Sequence, residues 1–171
     1  WSTRVDTLLA ERGDASRVAL ELAAALGQDV DAQEWAAVCR SAGLSAPNTL
    51  ISRMFSERLA IPHPEGDGWG FVHGMLRESI LRRAEEAFRA PALHRLCASM
   101  LEGRPGSASR SERLGRHLVL AGEPALALAH LADGAKLRLD AGDNRHAEVL
   151  LEEWAAAVDS AGVPASHPAL G

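Results

Sequence analysis

A mainly α-helical chain with one small β-hairpin is what this sequence predicts, and three observations predict it. Aromatic residues make up only 4% of the 171 residues and tyrosine is absent, so the core must be built from Leu, Ala, Val and Ile, which suits packed helices better than a sandwich. Apolar residues recur at helical spacing through most of the chain. The period changes only around residues 59–72, where the extended runs "LAIPHP" and "GWGFV" flank the turn signal "EGDG".

The elements follow in order. "TRVDTLLAER" is a short helical run closed by Gly13. Asp14 or Ser16 can cap the next helix, in which Val18, Ala19, Leu22, Ala23 and Leu26 share a face and Gly27 is the stop. Asp31 with Glu34 three residues on forms a capping-box pattern for a third helix, whose buried stripe is Trp35, Val38, Cys39 and Ala42. Pro47 suits the first turn of a fourth, with Leu50, Ile51, Met54 and Phe55 inward and Asn48, Ser52, Arg53 and Ser56 outward. Three helices followed by a hairpin is the order of a winged-helix domain, with the hairpin as its wing.

After the hairpin the pattern is helical again. "HGMLRESILRRAEEAF" places Leu76, Ile80, Ala84 and Ala87 on one side, and "APALHRLCASMLEG" does the same with Leu93, Leu96, Cys97, Met100 and Leu101. "RPGSASR" has no apolar periodicity and is the expected linker. Beyond it, "AGEPALALAHL" and "AGDNRHAEVLL" resemble each other at an offset of 142 − 122 = 20 residues between Gly122 and Gly142. Tetratricopeptide repeats have a period of about 34 residues, so the match to them is partial. The expected organisation is a winged-helix domain with flanking helices over 1–103 and a linker over 104–110. An antiparallel α-helical, tetratricopeptide-like segment over 111–162 and a tail over 163–171 complete it. The chain lacks an initiating Met and opens within a helical pattern, so it is expected to be a piece of a larger protein whose last helix is covered by further repeats or a partner.

The formal net charge of −5 provides no global pull toward nucleic acid or an anionic membrane. No apolar run approaches the roughly 18 residues of a membrane span, and no signal peptide opens the chain, so a cytoplasmic protein is expected. Cys39 and Cys97 lie in helical patterns and read as small buried apolar residues. The histidines His63, His73, His94, His117, His130, His146 and His167 form no HExxH and no paired spacing with cysteine, so no metal site is expected. There is no GxSxG and no glycine-rich loop ending in Lys-Ser or Lys-Thr, and Lys136 is the single lysine. The chain is therefore not expected to be an enzyme by itself, and no catalytic residue is assigned.

Three sites remain for weighing. Asn48, Ser52 and Arg53, with Thr49 and Arg58, could meet phosphates or base edges, or an interdomain face. Glu65 and Asp67 near the wing tip argue against DNA, where such a wing would carry Lys or Arg. His94, amid core residues, reads as a structural hydrogen bonder, and Trp154 as a packing residue or a partner anchor.

Four segments in series, "LELAAALGQDVDAQEW", "GFVHGMLRESIL", "LHRLCASMLE" and "RHLVLAGEPALALAHLADGA", resemble the region after the nucleotide-binding core of bacterial STAND proteins, the signal-transduction ATPases with numerous domains. The resemblance covers Val18 to Ala157. It implies a winged helix that folds back on an upstream ATPase core, and helical repeats that bind partners. It also implies that the histidine closing the wing, His73 here, contacts the β-phosphate of bound ADP and helps hold an off state. The Met and Asp beside that histidine in a Met-His-Asp motif are Val72 and Gly74 here, whereas Phe71, His73, Arg77 and Glu78 look like the F-x-H-x-x-x-R-E form of bacterial members. Arg77 and Glu78 read as a surface pair or as part of the contact with the ATPase core. ADP or ATP is thus implied for the full-length protein and no cofactor for this chain alone. The alternatives are a winged-helix transcription regulator and a helical-repeat interaction adaptor.

Overall fold

The computed structural model describes residues 13–45, 48–64 and 67–162, and the chain divides into two compact units, one ending at Leu96 and one beginning at Cys97. Among the described residues the chain is mainly helical, with eight helices and a small three-stranded antiparallel sheet. The first helical run expected, "TRVDTLLAER", and the tail 163–171 lie outside them, as do Pro47 and Glu65.

The first unit is organised around α1 (Gly13–Leu26), in which Ala19, Leu20, Leu22, Ala23 and Ala24 are almost wholly buried. A helix apolar on most of its circumference has to sit in the middle of its domain. β1 (Asp29–Asp31) follows, then α2 (Ala32–Ser41), capped as the sequence predicts by the Asp31 carboxylate, which accepts from the Glu34 N–H at 2.8 Å. Trp35, Val38 and Cys39 are its buried stripe, and the Trp35 indole N–H donates to the Ala19 carbonyl at 2.7 Å, pinning α2 to α1. α3 (Asn48–Ser56) buries Leu50 and Met54, but Ile51 and Phe55, expected inward with them, are only half-buried.

The expected hairpin is present as β2 (Ala60–Pro62) and β3 (Gly68–Phe71), with Ile61 opposite Gly70. The single hairpin is a correction to make, because β1 pairs with the other edge of β3 and the order is β1-β3-β2. Val30, fully buried, sits opposite Trp69. A three-residue strand with one apolar residue between two aspartates has no alternation to detect, and Asp31 reads more strongly as a cap. α4 (Gly74–Glu86) buries Leu76, Ile80 and Ala84, while Ala87 caps it and is exposed.

α5 (Ala90–Glu102) crosses the division between the units. The units part between Leu96 and Cys97 rather than at 104–110, because Ala98 and Leu101 belong to the second unit's core with Leu114, Leu118, Leu128, Leu131 and Leu150. Residues 104–107 are a short connection, and α6 (Ala108–Leu120) begins inside the expected linker, capped by the Ser107 hydroxyl, which accepts from the Arg110 N–H at 3.1 Å. α7 (Pro124–Asp140) and α8 (Asn144–Ala161) complete the second unit.

The internal similarity seen in the sequence is real in the backbone. After α6 the N–H of Glu123 donates to the Leu118 carbonyl, and after α7 that of Asp143 donates to the Arg138 carbonyl, each closing an Ala-Gly-acid turn. α6 and α7 pack closely because Gly115 and Gly134 lie at their contact: a Cβ on Gly115 would stand 2.7 Å from the Leu131 side chain. No helix among the described residues is long and apolar enough to cross a membrane.

Candidate functional site

His73 stands where β3 hands over to α4. It is the N-cap residue of α4, with extended backbone (φ −130°, ψ 128°), and its side chain is exposed and makes no capping hydrogen bond. The joint beneath it is fixed by Gln28, whose carbonyl accepts from the Phe71 N–H at 3.0 Å and whose side-chain amide donates to the Phe71 carbonyl. A Cβ on Gly74 would meet nothing nearer than the Gln28 side chain at 3.9 Å, so the first turn of α4 is open to approach. An exposed imidazole at an open helix N-terminus fits a phosphate group: free N–H groups and the positive dipole end suit an anion, and the ring N–H adds a donor.

Arg77, one turn on, points elsewhere. Its guanidinium Nε donates to the Ala24 carbonyl at 2.8 Å, bringing a cation to the C-terminal turn of α1, which has no basic residue of its own. Arg77 thus joins α4 to α1, while Glu78 is exposed and forms no ion pair with it. His94 on α5 is buried, and burial together with the nearby Arg77 cation lowers its pKa to about 4, so the ring is neutral at pH 7. Burial likewise raises the Cys39 thiol to about 11, which suppresses thiolate chemistry.

The candidate contact face on α3 is partly engaged internally. Asn48 and Ser52 are exposed, but the Ser52 hydroxyl donates to the Asn48 carbonyl at 2.9 Å. Arg53 Nε is 2.6 Å from Glu57 Oε1, so the strongest phosphate-binding group of this helix already faces a carboxylate. On the wing, Asp67 is exposed.

Sequence reasoning missed two features nearby. A cleft of about 690 Å³ lies between α2, α3 and the hairpin, lined by Trp35, Ile51, Phe55 and Trp69 with Arg40, His63 and Asp67 among its polar groups. Two of its aromatic walls meet edge to face, Trp35 and Trp69 with ring centres 5.5 Å apart, and behind them Trp69 packs against the buried Phe71 at 5.0 Å. The second feature is a His63–Asp29 pair at 3.1 Å, laid across β3. Added Cβ atoms on Gly68 and Gly70 would fall 2.7 Å from the His63 ring and 2.8 Å from the Asp29 carboxylate, so these glycines make the space the pair occupies. Two glycines on one face of a four-residue strand were the signal available in "GWGF". Among the described residues, no group of three or more His, Cys, Asp or Glu is placed to hold a metal ion. No protein-family model, curated protein or solved structure matches this chain.

Proposed function

We propose that the chain is the non-catalytic regulatory part of a STAND-type ATPase, a nucleotide-dependent switch in signal transduction. In this reading the first unit is a winged helix whose wing is β2–β3, and His73 senses the phosphate of ADP held by an NTPase domain elsewhere in the polypeptide. The second unit is a tetratricopeptide-like segment that passes the nucleotide state to a protein partner in the cytoplasm. Bound ADP supplies a terminal, anionic β-phosphate, which in ATP is bridged to the γ-phosphate and so presents a different charge. This chain supplies the groups that would meet it: the His73 ring and the first N–H groups of α4, braced by Gln28 behind the joint.

The observation that carries the reading is the exposed His73 at the open start of α4. A short polar cap would serve the helix better, because Ser, Thr, Asp or Asn accepts from the first-turn N–H groups and an uncapped imidazole does not. Arg77 and Glu78 divide the remaining work: Arg77 fixes the helix start against α1, and Glu78 is left on the surface for an interdomain contact. A latch of this kind operates by binding the closed state more tightly than the open one.

In the full-length protein, His73→Ala should speed ADP release about tenfold, the size expected from losing one charge-assisted hydrogen bond. The check is displacement of a fluorescent ADP analogue in stopped flow. An unchanged off-rate, or a full-length sequence with no phosphate loop upstream of Trp1, overturns the reading.

A further inference from the structure

α2, α6, α7 and α8 are each followed by a glycine with left-handed φ, at Gly43, Gly122, Gly142 and Gly162. α3 and α4 end instead at Arg58 and Phe88, both with φ 56°. A Cβ in that region crowds the following carbonyl, which is why glycine is the usual choice. Arg58 carries a charge that belongs in water. Phe88 does not, yet it is 92% exposed, so the ring is unfavourable both for the backbone and for the solvent around it.

The backbone that carries the ring is firmly held. The turn under it closes through Phe88 N–H to the Glu85 carbonyl and Arg89 N–H to the Ala84 carbonyl, both at 2.8 Å. Arg89 is then clamped by the buried Glu21 carboxylate through two hydrogen bonds, and Ala90 and Leu93 enter the core. A protruding aromatic side chain on a fixed backbone can serve as an anchor, since only the two side-chain torsions of the ring are restricted when it binds. Glu85 and Glu86 beside it are exposed and form no ion pair among the described residues. With Arg82 also exposed one turn back, the rim of the ring is mixed in charge, and the two carboxylates next to Phe88 suit an apolar socket with a cation at its edge.

The same unit contains such a socket. The cleft between α2, α3 and the hairpin offers Trp35, Ile51, Phe55 and Trp69, and Arg40 at its edge is exposed with no ion pair among the described residues. Asp67 also lines the cleft, so the charge match rests on Arg40. We infer that Phe88 seats in this cleft of a second copy of the chain, with Arg40 of that copy meeting Glu85 or Glu86. The inference is independent of the nucleotide reading, because neither His73 nor the start of α4 takes part.

Sedimentation equilibrium on the full chain, from about 10 µM to about 1 mM, tests it. The weight-average mass should rise with concentration. Phe88→Gly removes the ring while easing the backbone, so it should raise the thermal midpoint and leave a monomer throughout. Arg40→Glu should weaken association at least ~10-fold, and adding Glu85→Arg and Glu86→Arg to it should restore association. A wild-type monomer across the range, or association undiminished in Phe88→Gly, overturns the inference. Loss with Phe88→Gly but no effect of Arg40→Glu or Ile51→Glu also overturns it, by placing the ring outside the cleft. Phe88-dependent binding to phosphatidylserine vesicles by a monomeric chain would overturn it in favour of a membrane.

Discussion

The two units bury polar groups in different ways. In the first, the Glu21 carboxylate is 2% exposed and depends on one residue, Arg89, which grips it from 68 positions along the chain; Arg17 is more distant at 3.8 Å. In the second, Glu112 accepts from both Arg116 at 2.5 Å and Arg138 at 2.9 Å. Those arginines have further partners, Glu153 for Arg116 at 2.8 Å and Asp143 for Arg138 at 3.3 Å. One is a point closure and the other a network, and a network loses less when one member is removed.

The largest effect expected is therefore at the point closure. Arg89→Met leaves a buried carboxylate without its main partner and should cost about 3 kcal/mol. Glu112→Gln keeps the shape and some hydrogen bonding while its arginines retain their other partners, and should cost only ~1 kcal/mol. Urea unfolding of both variants measures the contrast; equal losses would mean that the second network is as brittle as the first closure.

Protonation sharpens the same contrast. His94 in the first unit has a folded pKa of about 4, against an unfolded value of about 6.5. The folded state binds its proton more weakly, so the stability this group contributes is fully present above pH 6.5. It is lost progressively as pH falls through the window down to 4, by about 3 kcal/mol over the whole shift. Stability measured by urea unfolding between pH 7 and 4 should fall accordingly, and His94→Gln should remove most of that slope. A slope unchanged in the variant would assign the acid sensitivity to the carboxylates.

How far these features were legible in the sequence follows from the kind of contact each one is. The second unit reads from local patterns, because its helices are defined by period and its turns by Ala-Gly-acid, and each helix packs on its neighbour in sequence. The Asp31 cap and the hairpin were legible for the same reason. The third strand, the Glu21–Arg89 closure, the Arg77–Ala24 tether and the cleft were not, because each joins residues far apart in sequence through the tertiary packing of the first unit. Ile51 and Phe55 show the limit on a single helix: their spacing matches that of Leu50 and Met54, and only the position of the hairpin leaves them half-buried beside a cleft. His73 was singled out by position in the pattern, and its exposure without a capping bond could be seen only in three dimensions.

The smallest effect concerns the helix ends, where the units use one backbone device with different residues. Gly122 and Phe88 hold nearly the same role, with left-handed φ of 80° and 56° and the same pair of closing hydrogen bonds. A Cβ added at Gly122 would meet no atom within 4 Å, so Gly122→Ala suffers only the backbone penalty and should destabilise by about 1 kcal/mol. Phe88→Gly runs the other way: relief of the left-handed backbone should stabilise by a similar amount, reduced by the extra freedom glycine has when unfolded. Thermal unfolding of the pair in dilute solution, where chains stay apart, decides whether the ring contributes to the fold. Opposite signs mean that Phe88 does nothing for the isolated fold and that its advantage lies in what it contacts. A loss in both variants would make the ring a structural part of the turn.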